Sequence, residues 1–387
     1  AIMKFHPFAN LFPMMNTHDF DELCSDMAKH GYRPENPITT YKGEILDGRN
    51  RFNASEKVGI IPMFVEYAGN DLLDFILSQN LHRRHLNETQ RAGVAAKIAN
   101  MTEGGDRKSN HSPNLESDKV SIPQAAEMLN VGKSTVATYR AVAAAAPELV
   151  EKMDSGEMTA HEANKTVKEK ERNKKRSAIA RAGASVKPSD HWNIWQADIQ
   201  TWQAPRQYDF IITDPPYPKE FLPLWETLAI RSSEWLKDGG LLIAMSGQSY
   251  LDEIYAMMGK HLDYYWTAAY LTPGQPTPLR QVNVNTTWKP LLIYQKGKYN
   301  GKIFGDVFKS DGNDKDFHEW GQSISGMYDI ISKICLPGQW VLDPFCGAGT
   351  TLLAAVRFGC FADGIDLKVE NVNISKGRMN DETKNLE

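Results

Sequence analysis

Long apolar runs are missing from this sequence. No stretch of about 18 uncharged apolar residues occurs, so no segment reads as a membrane-spanning helix and no membrane partner is expected. Cysteine is scarce: Cys24, Cys335, Cys346 and Cys360 show no paired zinc-type spacing and are too few for a disulfide framework. No metal is expected. Residues 1–12 lack the basic start, apolar middle and small-residue cleavage site of a secretory signal, so a reducing, cytoplasmic setting is expected. Internal repeats are absent. The net charge is only −4, so the chain as a whole lacks the basic surplus of a nucleic-acid binder. A content of 41% hydrophobic and 24% charged residues excludes a disordered chain or a fibre, and 387 residues predict two or three domains.

Charge is nevertheless uneven. Residues 165–187 carry nine Lys/Arg against Glu169 and Glu171. Such a run sets up a positive field that attracts phosphates, and it is also what a solvated helix or linker looks like. Three blocks emerge along the chain. Residues 1–101 hold short β-branched or apolar runs (Pro37 to Tyr41, Glu44 to Leu46, Pro62 to Val65) between helical stretches, and read as α+β. Residues 102–187 begin with loop chemistry, to about 120, and then turn helical. Ser121 can cap a helix with Pro123 in its first turn, and Asn130 to Lys133 breaks it. Ser134 or Thr135 then starts a second helix with Val136, Tyr139, Arg140 and Val142. Two short helices about a Gly-containing turn make a helix-turn-helix pattern or an ordinary helical hairpin. Residues 188–387 look α/β. Apolar runs at Phe210 to Ile212, Leu241 to Ala244, Leu291 to Tyr294 and Trp340 to Leu342 alternate with helical stretches, which predicts a mostly parallel sheet covered on both faces.

The strongest chemical signal is Asp214-Pro215-Pro216-Tyr217, directly after the apolar run. Two prolines cannot continue a central strand, so the chain turns out at its carboxyl end, where open α/β sheets bind ligands. A carboxylate, a proline carbonyl and an aromatic face meet there. The exocyclic amine of a base needs such a set, because its lone pair is delocalised into the ring. Asp214 and the Pro215 carbonyl can hold its two N–H groups, and Tyr217 can stack on the flipped base. A second signal is Asp343-Pro344-Phe345-Cys346-Gly347-Ala348-Gly349-Thr350-Thr351, between a strand and a helix. Its glycines let the backbone approach a ligand closely, and Asp366, seventeen residues past Gly349, can accept from ribose hydroxyls.

Together these motifs resemble the DNA amino-methyltransferases that use S-adenosylmethionine, over residues 190–380. The Asp-Pro-Pro-Tyr element precedes the glycine element, as in the permuted β class. The resemblance implies a Rossmann-like S-adenosylmethionine-dependent methyltransferase domain. Asp343, Phe345, Gly347, Gly349 and Thr350 would line the cofactor, Asp366 its ribose and Asp198 its adenine. The segment from His318 to Ser323 is similar to the family's upstream cofactor-binding stretch, with Gln322 and Ser323 as its residues here, but lacks the Lys-Pro that usually follows the glutamine. Asp rather than Ser at 214 favours adenine N6 over cytosine N4. The class's target-recognition region, between the Leu291 strand and His318, is short here, so sequence reading is expected to be loose or delegated to the N-terminal blocks. Arg280 and Asn283, in the loop from 272 to 287, are further candidate DNA contacts.

In the first block, Gly43 to Ala54 and Gln79 to Leu86 resemble the ParB/sulfiredoxin fold, with Gln79 where partition proteins usually have Glu. The helix pair follows in the same order as in those proteins, which makes Ser134, Thr135 and Arg140 candidate DNA contacts. Arg49, Arg51, Arg83 and Arg84 could bind a nucleotide's phosphates. The expectation is an adenine-N6 DNA methyltransferase of bacterial or phage type, cytoplasmic and nucleoid-associated. It would act on double-stranded DNA, and a homodimer would suit a palindromic site. Cytosine-N4 methylation and a ParB-like regulator with an inactive methyltransferase domain are the alternatives.

Overall fold

The computed structural model describes residues 3–81, 86–102, 120–187, 189–274, 277–280, 282–312 and 323–384. The chain divides into two compact units, 1–171 and 172–387, and the division falls inside the helix Ala160–Gly183.

In the first unit each of the three short apolar runs forms a strand: β1 (Ile38–Tyr41), β2 (Glu44–Asp47) and β3 (Phe64–Glu66), in the order β2-β1-β3. The β1–β2 turn is Lys42-Gly43, both at positive φ (51° and 80°), which matches the twist of an antiparallel hairpin. The helices Thr17–His30, Arg49–Val58, Leu72–Leu81 and Glu88–Thr102 surround this sheet in sequence. The helix pair follows. Ser121 caps Ile122–Met128 in a reciprocal capping box with Gln124, and Pro123 lies in the first turn. The second helix is Lys133–Ala145, starting at Lys133 rather than at Ser134 or Thr135. Gly132 is its N-cap through backbone geometry alone, so no capping side chain marks the boundary. Val136, Tyr139 and Val142 face the core, and the buried Tyr139 hydroxyl donates to Asp154 at 2.7 Å. Burial, followed by this carboxylate, pushes the Tyr139 phenol far above its ordinary range.

The second unit is built on eight strands: β4 (Trp192–Gln196), β5 (Tyr208–Thr213), β6 (Leu236–Met245), β7 (Asp263–Leu271), β10 (Trp288–Gln295), β11 (Val307–Lys309), β12 (Trp340–Asp343) and β13 (Phe361–Asp366). A separate hairpin joins β8 (Thr277–Leu279) to β9 (Val284–Thr286). The sheet order is β11-β7-β10-β6-β5-β12-β13-β4, and only β10 runs antiparallel to its neighbours. From Phe210 on, successive residues of β5 go to opposite faces, as strand geometry requires: Phe210 and Ile212 join the cluster of Leu352, Leu353 and Ile330, and Ile211 that of Trp225 and Leu228. Tyr208 lies on the Ile211 side because the register shifts between Tyr208 and Phe210. The helix after β5 (Pro223–Trp235) therefore covers one face, and the helix after β12 (Thr350–Phe358) covers the other. Since β5 and β12 are adjacent, the chain reverses its winding between them and opens a crevice at their carboxyl ends.

Candidate functional site

Both sequence motifs open into that crevice. Thr213, the last residue of β5, donates its hydroxyl to Asp343 Oδ1 across the strands at 2.6 Å. The prolines then end the strand, Pro215 is buried, and the Tyr217 hydroxyl donates to Asp214 Oδ1. This bond orients the carboxylate. Burial, then the Asp214 charge, pushes the Tyr217 phenol well above its ordinary value, so it remains a donor. The Tyr217 ring lies beside Gly247, where a β-carbon would sit 3.7 Å from its Cγ and Cδ2. The Lys289 Nζ stands 5.3 Å from the ring centroid.

The glycine loop leaves β12 at Asp343, which is 3% exposed. Its Oδ1 also accepts from the Phe345 N–H at 3.1 Å. Burial pushes this carboxyl up to about 6, although the Thr213 and Thr351 hydroxyls and the Phe345 amide pull the other way. Gly347 and Gly349 take positive φ (51° and 79°). At Gly349 a β-carbon would lie 2.2 Å from Ser375 Oγ, so this position needs glycine twice over. Asp366 ends β13 and ties the loop down. Its Oδ2 accepts from the Gly347 N–H at 3.0 Å, and its Oδ1 from the Lys368 N–H at 2.8 Å and Asn371 Nδ2 at 3.1 Å. Each carboxylate oxygen has two lone pairs, so Oδ2 retains room for a ribose hydroxyl. Asp198, exposed, lies two residues past Gln196, the register partner of Asp366. It fixes its own turn by accepting the Gln200 N–H at 2.9 Å.

Phe345 is half-buried against the core cluster that includes Leu342 and Ile365, and Thr350 is the first residue of the helix that Gly349 caps. Ser323 caps the helix Ile324–Ile334, accepting from the Gly326 N–H at 3.0 Å, and lies 2.5 Å from Ser310 Oγ. The buried Tyr270 hydroxyl converges on the same point: a β-carbon at Gly326 would sit 1.8 Å from it. Gln322, like His318, Arg83 and Arg84, lies outside the described residues.

Among the candidate DNA contacts, Arg280 and Asn283 are exposed on the β8–β9 hairpin, where a plain loop had been expected. The hairpin precedes β10, the antiparallel strand, and so joins the sheet at the same edge as Asp214. In the first unit, Ser134 is exposed and Thr135 gives its hydroxyl to Glu88 at 2.8 Å. Arg140 lies half-buried on the same helix. Arg49 is bonded to Asn10 and to the Phe12 carbonyl, and Arg51 to Asp47 and the Pro37 carbonyl.

Sequence reading missed Arg378, Tyr270 and Lys289. Arg378, 8% exposed, donates to the Ala348 carbonyl at 2.6 Å and so clamps the glycine loop from the helix Val369–Lys384. One signal was available: Asn371, Ser375 and Arg378 recur at i, i+4 and i+7, placing three polar groups on the helix face that meets the loop. Tyr270 and Lys289 meet the site only through sheet pairing.

A DNA methylase family model matches residues 300–377, the part that carries Ser323, the glycine loop and Asp366. The type II methyltransferase M.ScaI of Streptomyces caespitosus is 36% identical over 66 residues, which is 17% of this chain; the chain thus spans only 22% of that curated relative. Among solved structures, the M1.HpyAVI complex with S-adenosylmethionine is 26% identical over 49% of this chain and 99% of its own, with a TM-score of 0.42. A putative DNA modification methylase from Thermus thermophilus, complexed with S-adenosyl-L-methionine, is 20% identical over 48% and 89%, with a TM-score of 0.39. The cytosine-N4-specific PvuII DNA methyltransferase is 14% identical over 52% and 95%, with a TM-score of 0.41.

Proposed function

We propose that this chain is an S-adenosylmethionine-dependent DNA methyltransferase that modifies adenine N6. The observation that carries the reading is the placement of Asp214, Pro215 and Tyr217 at the end of β5, beside the glycine loop at the end of adjacent β12. The cofactor suits the residues present. Gly347 and Gly349 leave the loop open to close approach, Asp366 and Asp198 offer acceptors for hydroxyl and amine groups, and the Ser323, Ser310 and Tyr270 hydroxyls converge at a helix N-terminus suited to a carboxylate. When bound, S-adenosylmethionine supplies an electrophilic methyl group.

The chain's own residues act on the acceptor. Asp214 and the Pro215 carbonyl accept the two N–H groups of the target amine, which draws its lone pair out of the ring and toward the methyl carbon. Tyr217 stacks on the extruded base and keeps the Asp214 carboxylate turned into the site. Methyl transfer to the held nitrogen, from the sulfonium that S-adenosylmethionine would supply, would leave that nitrogen positively charged, and its proton would then pass by way of the Asp214 carboxylate to water. Alignment therefore supplies most of the acceleration, with no strong base required beforehand. The aspartate at 214 supports adenine over cytosine. Nucleosides from a methylation-deficient host expressing the full chain, analysed by mass spectrometry, test this: N6-methyladenine is expected, N4-methylcytosine would move the target base, and no methylated base would refute the reaction.

In the first unit, Ser134 and Arg140 of the helix pair would dock double-stranded DNA, with two copies of the chain suiting a palindromic site. A second reading concerns nucleotide binding there. A cavity of about 470 Å³ lined by Gly48, Arg49, Arg51, Arg33 and Asn80 supports it. Calorimetric titration with ATP and CTP decides it, absence of heat with both removing it.

A further inference from the structure

The rim of the acceptor site carries two ammonium groups that this chemistry does not use. Lys289, the second residue of β10, is half-buried with its Nζ over the Tyr217 ring. Lys219, five residues past Asp214, is exposed, with its Nζ 5.7 Å from the centroid of the Tyr250 ring. Tyr250 lies five residues past the end of β6, whose carboxyl end adjoins that of β5, and Lys289 opens β10 at the same edge, so both lysines stand on the side of the sheet from which Asp214 leaves. Among the described residues, neither has a carboxylate oxygen within 4.0 Å. An aromatic face holds an exposed ammonium only weakly.

A base stacking on Tyr217 must displace the Lys289 ammonium, and the same base brings its flanking phosphates to this rim. We infer that Lys289 and Lys219 are phosphate contacts for the extruded nucleotide. The Lys289 ammonium exchanges the Tyr217 ring for a phosphate as the base enters, and Lys219 takes a second phosphate. This rests on the reading of Asp214 to Tyr217 as the acceptor site for a DNA base.

Each phosphate contact adds about 0.9 to the slope of log affinity against log salt concentration. Duplex affinity of the full chain is measured by fluorescence anisotropy across a salt series, with methyl transfer and cofactor affinity measured on the same preparations. Lys289→Gln and Lys219→Gln are each expected to lower the slope by about 0.9, so that a fourfold rise in salt weakens each about 3.5-fold less than the wild type. Lys289→Arg should keep the slope, and so should Lys298→Gln, at the opposite end of β10. Cofactor affinity should be unchanged throughout. Unchanged slopes in both rim variants, or an equal drop in Lys298→Gln, overturn the inference. Methyl transfer by the wild type with unchanged slopes sinks this inference alone. The expected slopes without any methylated base sink the reaction reading alone.

Discussion

Replacing Asp343 with asparagine tests the electrostatics at the base of the cofactor loop. Burial raises this carboxyl from 3.8 to about 6 in the folded chain. The folded form therefore binds more protons between those values. Stability from this group is complete below about pH 4 and is lost as pH rises through about 6. At 1.36 kcal/mol per pH unit of separation, ionising it in place costs about 3 kcal/mol at neutral pH. Between about pH 5 and about pH 7.5 the share lost is roughly 1.4 kcal/mol. Asp343→Asn keeps an acceptor oxygen for Thr213 and the Phe345 amide but carries no charge to desolvate. Thermal unfolding of both proteins at the two pH values isolates the effect, because every other titrating group is shared. The wild type should lose about 3–6 °C more than the variant on going to the higher pH, at ~2–4 °C per kcal/mol for a unit of this size. Equal losses would refute the argument that this carboxylate is ionised at a desolvation cost.

Gly349→Ala places a β-carbon at positive φ, about 1–2 kcal/mol, and 2.2 Å from Ser375 Oγ. Calorimetry should show weakened S-adenosylmethionine binding, and adding Ser375→Gly should restore only the part due to the clash; full restoration would contradict a need for left-handed backbone. Tyr139→Phe removes the 2.7 Å bond to Asp154, which still pairs with Lys97 at 2.7 Å. A bond to a charged group contributes about 1.5–3 kcal/mol, so at ~2–4 °C per kcal/mol unfolding of the first unit should fall by roughly 3–12 °C, and a shift below about 1 °C would mean the bond is not formed.

The sheet's interior was legible in the sequence because its strands are buried on both faces. β5, β6, β10 and β12 each present an unbroken apolar run. Toward the edge that signal fails. β7 reads Asp-Tyr-Tyr-Trp-Thr-Ala-Ala-Tyr-Leu, with Tyr264 and Trp266 about half exposed, and β11 has only three residues. Neither pattern separates strand from loop. Within the site, Asp214 to Tyr217 and Asp343 to Thr350 could be read because neighbours in sequence act together. Tyr270, Lys289 and Arg378 come from elements whose arrival depends on pairing across β10 and β7 or on the last helix docking under the loop. Capping followed the same rule. The Ser121 box was visible as side chains, whereas the Gly132 cap was not, since glycine marks it only by backbone shape.

The most direct measurement compares single-turnover methyl transfer to duplex DNA by the wild type and Asp214→Ala, each saturated with S-adenosylmethionine and each with its cofactor affinity measured beforehand. The account predicts equal cofactor affinity and a transfer rate lower by about 10²-fold or more in the variant, the scale of removing one group aimed at the reacting centre. Transfer by Asp214→Ala at the wild-type rate would contradict it.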